Sequence, residues 1–143
     1  MNLVSLVRPH SLLAVAVLLL ANSIAVAQQS IVAPDLTGNW TGHWESCKNG
    51  HHGPLSARFC KKDDCHYEVV SRGRFFKVVP FRYATTMTVI GYDGDRVLLS
   101  ASKRLGPVLG SCSMDADATS SDFTARFSSR DDNGLFVLRR VGD

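Results

Sequence analysis

Two short segments carry the residue types from which a binding site could be built. Gly50-His51-His52-Gly53-Pro54 sets adjacent imidazoles between glycines, groups that titrate near neutral pH and can hold an anion or a metal. Pro80-Phe81-Arg82-Tyr83 sets a planar guanidinium between two aromatic rings, a fork for a carboxylate with apolar walls beside it. Trp44 supplies a further ring. Cys47 lies close to His51 and His52, with His43 nearby, but the spacing matches no usual zinc pattern, and no metal is expected. Catalytic groups are not arranged for work. Asp63, Asp64, Asp93, Asp95, Asp131 and Asp132 fall in turn-like segments, where aspartate serves backbone geometry. Only Glu45 and Glu68 fall in strand-like segments, and no serine lies in a Gly-x-Ser-x-Gly elbow. The chain therefore reads as a non-enzyme that needs no cofactor.

The elements that must position these residues begin after a leader. Arg8, the ten-residue apolar run Leu12–Ala21 and Ala25-Val26-Ala27 form an export signal with its cleavage site. The apolar run is half the roughly 20 residues a spanning helix needs. Cleavage before Gln28 leaves 116 of the 143 residues, and no membrane anchor. The product is periplasmic or secreted, and its size suits one domain. Loss of Arg8 lowers the formal charge from +3 to +2, too small to argue for nucleic acid or an anionic membrane surface.

An exported chain with Cys47, Cys60, Cys65 and Cys112 is expected to form two disulfides. Cys60 and Cys65 bracket the polar loop Lys61–Asp64, so the preferred pairing is Cys60–Cys65 with Cys47–Cys112.

Past the leader, apolar residues alternate with period two and hold no helical period. Strands are expected near 38–46, 55–60, 65–70, 74–79, 82–92, 95–102, 108–115, 122–129 and 134–140. Turns fall between them at Gly50–Pro54, Lys61–Asp64, Arg72-Gly73, Val79-Pro80, Asp93–Asp95 and Asp131–Gly134. Eight or nine strands in sequence order predict an all-β fold. It is an antiparallel up-and-down meander closed into a small barrel (36–143), after an extended arm (28–35). Alternation puts Trp40, Trp44, Leu55, Ala57, Phe59, Tyr67, Val69, Phe123, Ala125 and Phe127 inside. Strands 74–79 and 82–92 are apolar on both faces, as Phe75 with Phe76 and Met87 with Ile90 show. That pattern allows a homodimer surface.

Gly38-Asn39-Trp40 at the start of the first strand, with a complete meander behind it, resembles the calycin superfamily of lipocalins and avidins. The mature region, with its GHHG, PFRY and RLGP segments, also resembles a family of small exported bacterial proteins. The calycin resemblance implies that Trp40 plugs one barrel end, with Arg139 or Arg140 of the last strand over its ring, and that any ligand enters at the other end. The expected function is binding of a small, mostly apolar molecule, with His51, His52, Phe81, Arg82, Tyr83 and Trp44 as candidate contacts. The alternative is a protein-interaction module, such as an inhibitor of a secreted protease or a cell-envelope structural protein. The resemblance extends to bacterial metalloprotease inhibitors of this kind, which offer an extended arm.

Overall fold

The computed structural model describes residues 32–108 and 110–142. The expected leader 1–27 and the first arm residues, 28–31, lie outside them. The eight strands are β1 (Gly38–Ser46), β2 (His52–Lys61), β3 (His66–Phe75), β4 (Val79–Asp93), β5 (Arg96–Gly106), β6 (Gly110–Ala118), β7 (Asp122–Ser129) and β8 (Asn133–Arg140). Each pairs antiparallel with its sequence neighbour, and β1 closes on β8, giving a barrel in strict meander order. The closing seam runs from Trp40↔Arg140 to Ser46↔Gly134. Closure gives every strand a neighbour on both sides, although registered pairing of β4 with β5 covers only Thr88 to Asp93.

Alternation decides which face of each strand is buried. In β2, Gly53, Leu55, Ala57 and Phe59 are buried while His52, Pro54, Ser56 and Arg58 are exposed. Trp40 and Trp44 share the inner face of β1, as the spacing of two residues requires. The core joins them to Tyr67, Val69, Met87, Val97, Leu99, Met114, Phe123, Ala125 and Leu138, with Phe127 half-buried against it. Two contacts in the seam admit only glycine, and at Gly134 an added Cβ would stand 1.9 Å from the Glu45 carbonyl oxygen. A Cβ at Gly42 would stand 2.0 Å from the Val137 carbonyl oxygen, so any side chain there pushes β1 off β8.

The barrel has two unlike ends. Trp40, Phe59 and Phe123 fill one, beside the β2–β3, β4–β5 and β6–β7 turns. Trp44, Phe75, Phe81 and Phe136 stand at the other, beside the β1–β2, β3–β4, β5–β6 and β7–β8 turns.

The structure corrects the expected segmentation at two places. At the first, the expected turn Gly50–Pro54, β2 already begins at His52 and pairs Gly53 with Trp44 and Pro54 with His43. At the second, Arg72-Gly73 and Val79-Pro80 are not turns but lie within β3 and β4, paired as Arg72↔Arg82, Gly73↔Phe81 and Phe75↔Val79. The chain reverses at Phe76 and Lys77, which take φ of 50° and 65°, and the Val78 N–H donates to the Phe75 carbonyl at 3.1 Å. Pro80 is tolerated because registered pairing of β4 with β5 runs only from Thr88↔Ser100 to Asp93↔Arg96. Its missing N–H therefore interrupts no ladder on that side.

The cysteine pairing is also corrected, since all four cysteines are free. The β2–β3 hairpin closes with Lys61↔Tyr67 and sets Cys60 opposite Glu68, leaving Cys65 in the turn. The two sulfurs therefore do not face each other across the ladder. Cys112 is buried on β6 between Lys103 and Ser129, while Cys47 is exposed in the β1–β2 turn.

Candidate functional site

The plug end is built from one ring and one guanidinium. Trp40 is 1% exposed, and its indole N–H donates to the Leu36 carbonyl at 3.0 Å. Arg140, not Arg139, lies over the ring, its guanidinium carbon 4.9 Å from the centroid. The Arg140 fork donates to the carbonyls of Thr37 and Ser120, each at 2.7 Å, and of Asp35. One side chain thereby ties the entering arm and the β6–β7 turn to the last strand. Arg139 points outward to Asp122. The Trp40 N–H and all three nitrogens of the Arg140 guanidinium thus hold backbone carbonyls at this end. Arg140→Leu should cost about 1.5–3 kcal/mol in a urea unfolding experiment, the usual range for hydrogen bonds from a charged donor. Arg140→Lys should recover less than half of it, because an ammonium cannot reproduce three divergent N–H bonds. Full recovery by lysine would show that charge alone matters.

The opposite end holds a cavity of about 220 Å³. Its walls are Trp44 from β1, Phe75 from β3, Phe81 and Tyr83 from β4, Leu105 from β5, Cys112 and Met114 from β6, Phe127 and Ser129 from β7, and Phe136 with Asp132 from the β7–β8 end. Phe75 stacks on Phe81 with centroids 4.4 Å apart, and Trp44 meets Phe75 edge-on at 5.2 Å. The small residues of β2 and β3 make room for these rings. A Cβ on Gly73 would stand 2.5 Å from the Phe81 ring, and one on Gly53 2.8 Å from the Trp44 indole nitrogen. That nitrogen donates to the Arg74 carbonyl at 3.3 Å, which fixes the ring as a wall.

One polar atom of this end is unmatched. The Tyr83 hydroxyl is buried without a hydrogen-bond partner among the described residues. Burial pushes its phenol above the ordinary value; Thr85 opposes the shift and the Cys112 thiol adds to it, though neither meets hydrogen-bond geometry. Burial likewise raises the Cys112 thiol, with Tyr83 acting the other way. At neutral pH the site therefore presents a neutral phenol and a neutral thiol. Asp132 at the rim is satisfied, accepting from the Ser46 hydroxyl at 2.6 Å.

Sequence reasoning passed over Lys103. It stands on β5, beyond the end of the β4–β5 ladder, where its ammonium donates to the Ala84 carbonyl and lies 5.2 Å from the Tyr83 ring centroid. Its half-buried place on the inward row of β5 carries no sequence signal apart from alternation with Leu99 and Ala101.

The structure thus brings Trp44, Phe81 and Tyr83 together and leaves the other candidates outside. Arg82 faces solvent, because alternation along β4 sends it opposite to Phe81 and Tyr83. His51 and His52 are exposed in and after the β1–β2 turn. His51 packs edge-on to Phe76 at 5.1 Å, and His52 Nδ1 lies 3.2 Å from the Gly50 carbonyl oxygen. Among the described residues no three His, Cys, Asp or Glu side chains gather as a metal site. Comparison with protein-family models, curated proteins and solved structures returned no match to this chain.

Proposed function

We propose that the chain is an exported, calycin-like binding barrel, without catalysis of its own, that takes one small and mostly apolar molecule into the cavity beneath Trp44, Phe75 and Phe81. The observation that carries this reading is the cavity walled by six aromatic rings, with the Tyr83 hydroxyl buried in that wall and without a hydrogen-bond partner among the described residues. An unmatched buried hydroxyl costs about 1–3 kcal/mol, and a ligand oxygen placed against it would remove that cost. The volume limits the guest. About 220 Å³ exceeds the roughly 150 Å³ apolar cavity known to admit benzene and falls below the roughly 300–1,000 Å³ of drug-sized sites. A single aromatic ring or a short acyl chain carrying one oxygen acceptor fits both the size and the chemistry. The calycin-like reading is supported by the meander closure and by Arg140 over Trp40. The non-enzymatic reading is supported by the neutral phenol and thiol, neither of which is an activated nucleophile.

Phenol and octanoate serve as probes. Trp44 should report either one as a saturable change in emission with one site per chain. A linear, unsaturable response to both would overturn the reading.

A further inference from the structure

The small net charge of the chain conceals a separation of charge between the two ends of the barrel. From Val69 to Tyr92 the sequence holds Arg72, Arg74, Lys77 and Arg82 and no acid. These residues flank and form the β3–β4 turn, and all four are exposed. None of them enters an ion pair among the described residues. Four cations near the plug end do so, in Lys61–Asp64, Lys62–Glu68, Arg96–Asp117 and Arg139–Asp122, whereas at the mouth end Arg130 with Asp131 is the one such pair among the described residues. Arg72 and Arg82 stand directly opposite each other across the ladder, a like-charge pairing that destabilises a sheet unless an anion lies over it. They border an open depression on the outer face with Thr41, Ser56, Arg74 and Pro80.

The turn these cations surround is apolar and strained. Phe76 is 70% exposed, Val78 74% and Val79 52%. Phe76 and Lys77 both occupy the left-handed region, which bulky residues avoid and which asparagine or glycine would enter at little cost. The Phe76 ring meets the exposed His51 edge-on and takes no part in the buried core. Its setting among unpaired cations matches the chemistry of a lipid interface, where apolar groups enter the acyl boundary and Lys or Arg meet anionic headgroups. Val108 in the β5–β6 turn, 75% exposed at the same end, extends the apolar rim.

We propose that the β3–β4 tip docks the barrel, mouth first, on an anionic lipid bilayer, with Phe76 and Val78 in the interface and Arg72, Arg74, Lys77 and Arg82 on the headgroups. Docking requires nothing of the cavity or its contents.

The test is co-sedimentation of the mature chain with phosphatidylglycerol–phosphatidylcholine vesicles and with phosphatidylcholine alone. The expected result is binding to the first and little to the second, loosened as salt screens the headgroups. Arg74→Gln and Lys77→Gln should each weaken binding about five-fold, the effect of one cation at an anionic surface. Phe76→Asn is the decisive variant, since asparagine suits the left-handed turn. Its thermal midpoint should equal or exceed that of the wild type while vesicle binding is lost. Equal binding to the two vesicle types would overturn the proposal, as would wild-type binding by Phe76→Asn. A dimer in sedimentation velocity that Phe76→Asn dissociates, without vesicle binding by the wild type, would overturn it in favour of a second copy of the chain.

Discussion

Trp40→Ala should lower the unfolding free energy by about 3–5 kcal/mol, the range for removing a large aromatic side chain from a packed core. A domain of this kind has roughly 5–15 kcal/mol in total, so the variant should stand near the edge of folding. The size of the effect follows from how much converges on one ring. Phe59 packs on it at 5.5 Å and Phe123 at 6.4 Å, Arg140 covers it, and its N–H holds the carbonyl of the fully buried Leu36. Trp40→Phe separates these contributions. It keeps a ring but strands the Leu36 carbonyl, and should cost about 1–2 kcal/mol beyond the loss of volume. Equilibrium urea unfolding, followed through the Trp44 signal that survives in both variants, measures the difference. A loss below 1 kcal/mol in Trp40→Ala would mean that the arm and Arg140 hold the end closed without the ring.

Leu105→Trp should abolish saturable binding of the aromatic probe, at least ten-fold in affinity, while the barrel stays folded. Leu105 is half-buried and lines the cavity from β5, at the mouth rather than in the sealed core. A larger ring there can occupy the void with little displacement of its neighbours. The companion variant Tyr83→Phe makes an opposite pair of demands. Removing a buried hydroxyl that has no partner should leave stability unchanged or raise it by about 1 kcal/mol. Loss of the donor should weaken an oxygen-bearing probe about ten-fold, near 1.4 kcal/mol, as one lost hydrogen bond would. Greater stability with poorer binding is the signature of a group kept for a ligand. Lower stability with unchanged binding would show that the hydroxyl has a structural partner.

The barrel was legible in the sequence because its determinants are local. Trp40 and Trp44 set the inner face of β1, and the turns Asp93–Asp95 and Asp131–Gly134 delimit β4, β5, β7 and β8 closely. What failed also failed for local reasons. Arg72-Gly73 and Val79-Pro80 carry the residues that usually punctuate a chain, whereas the true reversal uses Phe76 and Lys77 against their backbone preference. Strain of that kind has no signature in composition. The cysteine pairing failed on a matter of register, since Cys60 faces Glu68 and only the whole hairpin fixes that alignment. At the site, the wall Trp44 followed from alternation, and Phe81 and Tyr83 from the residue types of the Pro80–Tyr83 segment. Leu105, Cys112, Met114 and Phe136 reach the cavity only because the closed barrel brings β5, β6 and β8 round to β1 and β4. Arg82 looked like a candidate contact because it stands between Phe81 and Tyr83, which line the cavity, although period two sends it to the other face.

The most direct measurement of the central claim is native mass spectrometry of the mature protein purified from its own host without organic solvent. A ligand-binding barrel should carry one small molecule per chain, a ring compound or short acyl species bearing an oxygen. That adduct should vanish in Leu105→Trp and diminish in Tyr83→Phe. A wild-type chain that flies bare at gentle activation, and stays bare after incubation with phenol or octanoate, would contradict the claim and leave the cavity a packing defect of a filled barrel.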